Sequence, residues 1–317
     1  MKTVTILIPC YNEELNILYA YQEISKVIKP IKKYRFKIIF IDNGSLDSSR
    51  KIIEKITREN NDVTGLFLSR NFGPESSTQA GIDYSKGDAV ITLWCDLQDP
   101  PKLIPQFIQH WEEGSNIVIG LYNRAQDNFI ITLLRKLFYK IYKSISNIDV
   151  PVNATGFGLM DKKTITAIRL LPEKYRFFRG LRSWIGFKTS YIKYDRDKRR
   201  YGKSSYNLYG YIKHSERGIF GFSYFILDFM SYLGFTLVLL SFTVIIYFAL
   251  ISFFFKASIQ TSSIIVLAII FFGGVQLLAI SIIGKYIEVI VEETKNRPTY
   301  IVDKIVGNYS QLKQPHK

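Results

Sequence analysis

The chain has 317 residues, 47% of them hydrophobic and 15% aromatic, and its formal net charge is +15 at pH 7. This length allows one sizeable core plus an appendage, and the charge suits an anionic partner, either nucleic acid or a membrane surface. Two cysteines are too few for a disulfide framework, so we expect Cys10 and Cys95 to be buried, reduced thiols. The apolar run near the N-terminus soon reaches acidic residues, which is not typical of a signal peptide.

From residue 4 to residue 121, short β-rich runs alternate with helical patterns. The predicted strands are 4–9, 36–42, 64–69, 89–96 and 116–121, and the predicted helices are 14–29, 47–60, 74–85 and 101–113. This alternation predicts an α/β unit with a mostly parallel sheet and a ligand site at the carboxyl ends of its strands. The absence of a G-x-G-x-x-G or Walker loop argues against a dinucleotide enzyme or a P-loop ATPase.

Polar clusters fall at those strand ends: "PCYNEE", "DNGSLD", "SRNFG" and "CDLQDPP". Asp42 is suited to accept hydrogen bonds from the imide or ribose of a uridine, and Tyr11 offers a stacking face. Asn43 and Ser45 flank an exposed turn with free backbone donors; a simple capped turn is the alternative. The convergence of four such clusters indicates a nucleotide site.

Two further residues of these clusters suit the charged part of a nucleotide. Arg70 is placed to meet phosphate oxygens, and Asp96 is a hard oxygen ligand for Mg²⁺ or Mn²⁺. A single aspartate at a strand end also occurs as a helix cap or turn residue, which stays the alternative for Asp96 alone. An Asp-x-Asp pair would be the stronger metal signal, but Trp94 stands in the first place.

Two long uncharged runs follow in the C-terminal third, at 229–255 and 263–284. Each exceeds the roughly 20 residues that cross a ~30 Å hydrocarbon core, so we predict two transmembrane helices. Basic residues are concentrated on the outer flanks of the pair, which places both ends in the cytoplasm. The prediction is therefore a multi-pass protein of the inner (cytoplasmic) membrane, with a cytosolic domain at 1–205, a juxtamembrane segment at 206–228 and a cytosolic tail at 285–317.

The segment 128–147 has apolar residues at helical spacing and basic residues on the other side. This pattern predicts an amphipathic helix in the headgroup plane, with an ordinary surface helix as the alternative. The juxtamembrane segment mixes aromatic and basic residues, as interface anchors do. The basic surplus is thus directed at lipid, and no nucleic-acid module is expected.

Together these motifs resemble glycosyltransferase family 2, of the GT-A (Rossmann-like) fold, and within it the polyprenyl-phosphate glycosyltransferases. The resemblance is carried by "IPCYNEE" (8–14), "IDNGSLDSS" (41–49), "LSRNFGPESSTQAGIDYSKGDAV" (68–90), "DLQDPP" (96–101), "FFRGLRSWIGF" (177–187) and "RRYGKSSY" (199–206). It implies an inverting transfer of a sugar from a UDP-sugar donor, with UDP-glucose as the default, to a polyprenyl-phosphate acceptor for cell-envelope glycan modification. It also implies a homo-oligomer, with a tetramer as one option.

The resemblance implies a role for individual residues. The nucleoside site takes Pro9, Tyr11, Glu13 and Asp42, with Asn43 and Ser45 in the adjoining turn. Arg70 and Gln98 are expected at the donor with the catalytic Asp96, which holds Mg²⁺ or Mn²⁺. Arg199 and Ser204, from an R-x-x-G-x-S element, are expected to bind the acceptor phosphate at the membrane edge.

Two departures from the family pattern bear on the acceptor. Trp94 replaces the first metal-binding acid, and Gly156 replaces the Asp of a T-G-D-F element that is proposed as a base. A hydroxyl acceptor needs a base, whereas a phosphate monoester, with a second pKa of about 6, is largely dianionic at pH 7. The missing Asp favours a phosphate acceptor. Transfer to a hydroxyl of a lipid-linked saccharide, with Asp99 or Asp161 as base, and a non-catalytic nucleotide-sugar-binding membrane protein stay open as alternatives.

Overall fold

The computed structural model describes residues 1–123, 148, 151, 153–197, 199–202, 216, 218–255 and 261–307. Its strands are β1 (Thr3–Cys10), β2 (Arg35–Asp42), β3 (Val63–Leu68), β4 (Ala89–Thr92), β5 (Ile117–Tyr122), β6 (Ala154–Asp161), β7 (Thr189–Tyr194) and β8 (Val302–Val306). Its helices are α1 (Glu14–Ile28), α2 (Ser49–Glu59), α3 (Pro74–Tyr84), α4 (Ile104–Glu112), α5 (Lys162–Leu170), α6 (Phe178–Trp184), α7 (Phe225–Phe255) and α8 (Thr261–Thr294).

The strands form one mixed sheet in the order β7-β5-β6-β4-β1-β2-β3-β8. At its centre β4, β1, β2 and β3 are parallel, as the alternating sequence pattern predicts. Towards one edge β6 runs antiparallel to β4 and β5, and at the other edge β8 runs antiparallel to β3. The sheet is therefore of the α/β, GT-A-like type, with a parallel centre and antiparallel additions that the sequence pattern does not predict.

Strand β1 is the centre of the core because both of its faces are covered. Ile6 and Ile8 pack in one apolar cluster with Ile17 of α1, and Leu7 packs in a second cluster with Ala80 of α3. All of these side chains are fully buried. Since burial of one such aliphatic side chain contributes about 1.5–3 kcal/mol, the two faces fix the register of β1 and with it the position of the residues that follow Cys10.

Strand β4 is shorter than its sequence pattern predicts. It ends at Thr92, and the chain then leaves the sheet. Leu97 has a positive φ of 49° and its N–H donates to the Trp94 carbonyl at 3.2 Å, which closes a turn. Trp94 and Asp96 therefore lie on a loop beyond the strand, and their backbone is not part of the sheet.

The C-terminal third contains two long helices, which begin near the predicted spans but do not share all of their limits. Helix α8 continues past Gly284 to Thr294, since the charged residues after 284 extend the helix rather than end it. Within the described residues, one segment, Phe271–Thr294, is long and apolar enough to cross a membrane. The predicted amphipathic helix at 128–147, and most of the juxtamembrane segment before residue 218, lie outside the described residues.

The chain after α8 returns to the α/β domain. Glu293, near the end of α8, accepts backbone N–H bonds from Lys174 at 2.8 Å and Tyr175 at 2.8 Å. Tyr300 then donates to the Asp83 carboxylate at 2.8 Å, just before β8 joins the sheet. The end of α8 is consequently attached to the domain by backbone and side-chain bonds.

Candidate active site at the carboxyl edge of the sheet

The carboxyl ends of the parallel strands bring the predicted site residues together. In the sheet register Cys10 lies opposite Asp42, and Leu7 lies opposite Thr92. The loops that leave β1, β2 and β4 therefore begin side by side. Pro9, on β1, is buried near this edge, and Tyr11 follows it half-buried. Cys10 and Cys95, beside them, are free and buried as predicted.

The loops after β1 and β2 are interlocked by side chain-to-backbone hydrogen bonds. The backbone N–H of Asn12 donates to Ser45 Oγ at 2.9 Å, and Asn12 Oδ1 accepts from the Leu46 N–H at 2.8 Å. The Glu13 N–H donates to Ser49 Oγ at 2.9 Å. Ser45 thus has a scaffolding contact in addition to the ligand role that the sequence implies. The contribution of Asn12 depends on a partner 33 residues away, so its sequence position gives no sign of it.

Asp42 is the buried acid of this edge, with 1% of its surface exposed. Its carboxylate accepts long bonds from the Ser45 N–H, at 3.3 and 3.4 Å. Burial raises the pKa of Asp42, and the bonds from Ser45 offset only part of that rise. A buried carboxylate with weakly satisfied acceptors is suited to a ligand that brings N–H or O–H donors.

Asn43 and Gly44 attach this loop to the segment after β3. The Asn43 amide donates to Asn71 Oδ1 at 3.0 Å and accepts from the Phe72 N–H at 3.0 Å. Gly44 has a φ of 73°, and a Cβ there would lie 2.4 Å from the Arg70 carbonyl carbon. Asn43 therefore positions the loop, while Arg70 is exposed, with its guanidinium 4.2 Å from the centre of the Phe72 ring.

Replacing Asp42 by asparagine is expected to stabilise the fold and weaken nucleotide binding. Because burial raises the pKa of Asp42, ionising it opposes folding, so the cost is full at neutral pH and vanishes below its ordinary pKa, where both states are protonated. We expect Asp42→Asn to raise Tm by roughly 2–4 °C at pH 7.5. The gain should disappear on acidification, and UDP affinity should fall about 10-fold or more. Thermal unfolding at several pH values and UDP calorimetry measure both; a variant less stable than wild type at pH 7.5 would contradict the assignment.

Arg199 joins the loops after β1 and β4. Its Nη2 donates to Glu13 Oε1 at 2.5 Å, and its Nη1 lies 3.7 Å from Asp96 Oδ2. All three side chains are largely buried, with 17%, 11% and 14% of their surfaces exposed, respectively. Burial is the main cause that raises the pKa of Glu13, and the bonds from Asn16 and Arg199 counter it. A single cation is thus shared by two carboxylates at the centre of the edge.

The loop that carries Asp96 and Gln98 is held from below by Asp99. Asp99 is fully buried, accepts from the Tyr194 hydroxyl at 2.5 Å and lies 3.3 Å from Arg196 Nε. Burial raises the pKa of Asp99. The Gln98 carbonyl accepts from the Asp197 N–H at 2.9 Å, and the Gln98 N–H donates to Asp96 Oδ1 at 3.3 Å. These contacts hold Arg196 and Asp197 against the loop that carries Asp96.

Asp99 and Asp161 are both engaged in structural contacts. Asp99 is enclosed, and Asp161 caps α5 by accepting from the Thr164 N–H at 2.8 Å. Asp161 also pairs in register with Ala89, at the amino end of β4, which is the opposite edge of the sheet. Asp161 is therefore remote from the carboxyl edge, and Asp99 is enclosed beneath it.

The residues that replace the two missing acids are in contact. An ideal Cβ on Gly156 would lie 3.1 Å from Trp94 Cζ2 and 3.2 Å from Trp94 Nε1. On the other side, the buried Arg182 donates through Nη2 to the Thr155 carbonyl at 2.5 Å. Burial, with the nearby Arg179, lowers the pKa of Arg182 to about 10. The start of β6 thus has a guanidinium bonded to Thr155 and an indole beside Gly156.

The donor set at this edge fits a divalent cation that is shared with a phosphate ligand. Among the described residues no group of three or more His, Cys, Asp or Glu side chains could enclose a metal ion. Mg²⁺ is commonly held by one or two carboxylates plus substrate phosphates and water. Asp96 can supply one such carboxylate. Ser204 lies outside the described residues.

The mixed α/β sheet with a polar carboxyl edge is of the GT-A-like type. The family model for glycosyl transferase family 2 matches residues 5–168. Glucosyl-3-phosphoglycerate synthase from Mycobacterium tuberculosis, solved with Mn²⁺, UDP and glucosyl-3-phosphoglycerate, matches with a TM-score of 0.45 and 18% identity over 69% of this chain and 78% of that one. The similarity to curated proteins is stronger and extends over nearly the full length.

An uncharacterized glycosyltransferase from Synechocystis is 35% identical over 96% of this chain and 96% of its own. An SfII prophage-derived bactoprenol glucosyl transferase from Shigella flexneri is 33% identical over 95% of this chain and 97% of its own. The chain belongs to glycosyl transferase family 2, and the protein is a glycosyltransferase.

Proposed function

We propose that this glycosyltransferase moves a hexose, by default glucose, from a UDP-hexose to the phosphate of a polyprenyl phosphate at the cytoplasmic face of the membrane. The observation that carries the proposal is the position of Arg199, which is shared by Glu13 and Asp96 at the carboxyl edge. A cation there is available to an incoming phosphate, and Asp96 supports a divalent cation on the donor diphosphate. Relatives named bactoprenol glucosyl transferase support the same acceptor class.

The proposed reaction needs no general base. A phosphate oxygen of the acceptor attacks C1 of the sugar, the bond from C1 to the UDP oxygen breaks, and UDP leaves with the electron pair. Because the phosphate monoester is largely dianionic at pH 7, no proton has to be removed during attack. This agrees with Gly156 in the place of an acid and with the structural engagement of Asp99 and Asp161.

In the proposed mechanism the side chains bind and orient the two substrates. Asp42 and Tyr11 receive the uridine, and Pro9 and the turn of Asn43 and Ser45 shape its pocket. Asp96 holds Mg²⁺ or Mn²⁺, which when bound neutralises the charge of the diphosphate. Glu13 holds Arg199 in place, and Gln98 positions the loop of Asp96. Arg70 meets the donor, and Ser204 joins Arg199 at the acceptor phosphate.

The proposed membrane arrangement has two crossings, formed by α7 and α8. Strand β8, which follows α8, pairs with β3 in the same sheet as the site. The chain between these two strands must therefore cross a membrane an even number of times, if it crosses one. Helix α7 spans 31 residues and helix α8 spans 34, and about 20 suffice to cross the hydrocarbon core. This supports a hairpin with the domain (1–205) and the segment after α8 on one side, as the basic flanks imply.

The test is a transfer assay on the purified full chain in lipid, with undecaprenyl phosphate, Mg²⁺ or Mn²⁺ and a panel of UDP-hexoses. We expect a metal-dependent lipid phospho-sugar from one donor, detected by mass spectrometry of the lipid. Undecaprenol, which lacks the phosphate, is the matched control and should accept no sugar. Transfer to a lipid-linked saccharide instead would overturn the acceptor, and donor binding without any transfer would support the non-catalytic alternative.

A further inference from the structure

The contact between Trp94 and Gly156 joins the two places at which the chain departs from the family pattern. We propose that the Trp94 indole, which has one edge against Gly156, forms the wall of the pocket for the transferred sugar and determines which hexose is accepted. This inference rests on the proposed function, because it requires a nucleotide-sugar donor at the carboxyl edge.

The sheet register explains how two residues 62 positions apart in the chain come together. Thr92, the last residue of β4, lies opposite Gly158 in the antiparallel pair with β6. Continuing past Thr92 therefore takes the chain alongside Gly156, where Trp94 places its ring. The nearest distances, 3.1 and 3.2 Å from an ideal Cβ of Gly156, are shorter than most contacts of a real Cβ. A Cβ at position 156 would require the indole to shift by a few tenths of an ångström, so a glycine there suits the observed position of Trp94.

The indole is also placed to meet a ligand. Trp94 is half-buried, and it lies two residues before Asp96 on the same loop. An ideal Cβ on Gly156 would lie nearer to Nε1 and Cζ2 than to Cε2 between them, at 3.4 Å, so Gly156 meets an edge of the indole and does not cover a face of the ring. Asp96 and Arg199, 3.7 Å apart, mark the place of the diphosphate in the proposed function. The sugar of a nucleotide-sugar adjoins its diphosphate. Because Trp94 lies on the same loop as Asp96, we place the sugar beside the indole.

An indole recognises a sugar differently from a carboxylate. The face of an aromatic ring is negative and attracts the weakly positive C–H groups of a pyranose, whereas a carboxylate accepts from sugar hydroxyls or holds a metal. Hexoses differ in which hydroxyls stand above the ring plane, and an axial hydroxyl prevents close approach of an aromatic face. Glucose and galactose differ in this way at C4, so a Trp94 wall is expected to discriminate between them, in a direction set by which face of the pyranose meets the indole.

The first test measures donor choice. Trp94→Phe, which keeps an aromatic face, and Trp94→Leu, which removes it, are compared with wild type using UDP-glucose and UDP-galactose. We expect Trp94→Leu to change the ratio of the two kcat/KM values by about 10-fold or more, and Trp94→Phe to retain most of the preference. An unchanged ratio in an active Trp94→Leu enzyme would overturn the inference.

The second test uses fluorescence and does not require turnover. The chain has three tryptophans, and the other two lie on helices: Trp111 on α4, where it packs on Tyr34 with ring centres 5.6 Å apart, and Trp184 on α6, where it is 58% exposed. In a Trp111→Phe/Trp184→Phe background, UDP-glucose with Mg²⁺ is expected to shift Trp94 emission beyond the change that UDP alone produces. Calorimetry on the same sample measures binding independently.

The outcomes separate this inference from the proposed function. If UDP-glucose and UDP bind and change Trp94 emission equally, the sugar does not meet the indole and the inference fails while the donor class stands. If calorimetry detects binding of no UDP-hexose, the proposed function fails and the inference fails with it. A sugar-dependent shift, together with altered donor choice in Trp94→Leu, supports both.

Discussion

Replacing Asp96 by alanine is expected to abolish sugar transfer, lowering kcat by about 10³-fold or more. Asp96 is the acid of the β4 loop with a side chain directed to Arg199, and in the proposed function it is the protein ligand of the divalent cation. No neighbouring acid on that loop replaces it, since Trp94 stands two residues before it and Asp99 is enclosed. The charge of the departing diphosphate would then lack its main compensation from the protein.

Binding measurements show whether this loss is specific. Arg199 remains bonded to Glu13 at 2.5 Å without Asp96, so we expect the thermal stability of Asp96→Ala to stay close to wild type. UDP should still bind through the Asp42 pocket, but the part of its affinity that depends on Mg²⁺ should be lost. Asp96→Asn, which keeps the shape, should be equally inactive. Asp62→Ala, at an exposed acid before β3, is the matched control; near-normal turnover of Asp96→Ala would remove Asp96 from the mechanism.

Replacing Arg199 by alanine is expected to reduce the use of acceptor, with kcat/KM for undecaprenyl phosphate about 10²-fold lower. The guanidinium is the cation shared by Glu13 and Asp96, and the proposed function gives it the acceptor phosphate as an additional partner. Arg199→Lys keeps the charge but loses the planar fork, so an intermediate activity is expected. The neighbouring Arg200→Ala makes the same charge change at an exposed position and should have a much smaller effect.

A double variant distinguishes acceptor binding from the repair of local charge. Without Arg199 the Glu13 carboxylate, whose pKa burial already raises, is left near Asp96 without a cation. If that repulsion caused the whole loss, Arg199→Ala/Glu13→Gln would recover wild-type activity. We expect little recovery. An unchanged response of Arg199→Ala to acceptor concentration would contradict a role at the acceptor phosphate.

The parallel centre of the sheet could be predicted because each strand is a short apolar run bounded by polar turns. The local sequence determines those features, and the register of β1 with β2 and β4 follows from burial on both faces. The positions of Asp42, Glu13 and Asp96 at one edge were predicted for the same reason. Their roles with a ligand stay predictions.

The remaining features depend on contacts between distant segments. Trp94 and Gly156 were noticed separately as departures, but only the antiparallel pairing of β4 with β6 brings them into contact. Asp99 was considered as a base, and its hydrogen bond with Tyr194, 95 residues later, is a contact that the local sequence does not show. Strand β8 is five residues long and follows a helix of 34 residues, so no local pattern distinguishes it from a polar tail.

The pairing of β8 with β3 also decides when the sheet is completed during synthesis. During synthesis β3 is made long before β8, and until α7 and α8 have been made its outer edge has no strand partner. An open strand edge invites pairing with other chains, so the nascent domain is exposed to aggregation while the two helices are being made. Addition of β8, secured by the ion pair of Lys304 with Glu54 at 2.8 Å, is then the step that closes this edge. A soluble fragment made by ending the chain before α7 would keep that edge open permanently, whereas joining the 299–307 segment to the domain would close it.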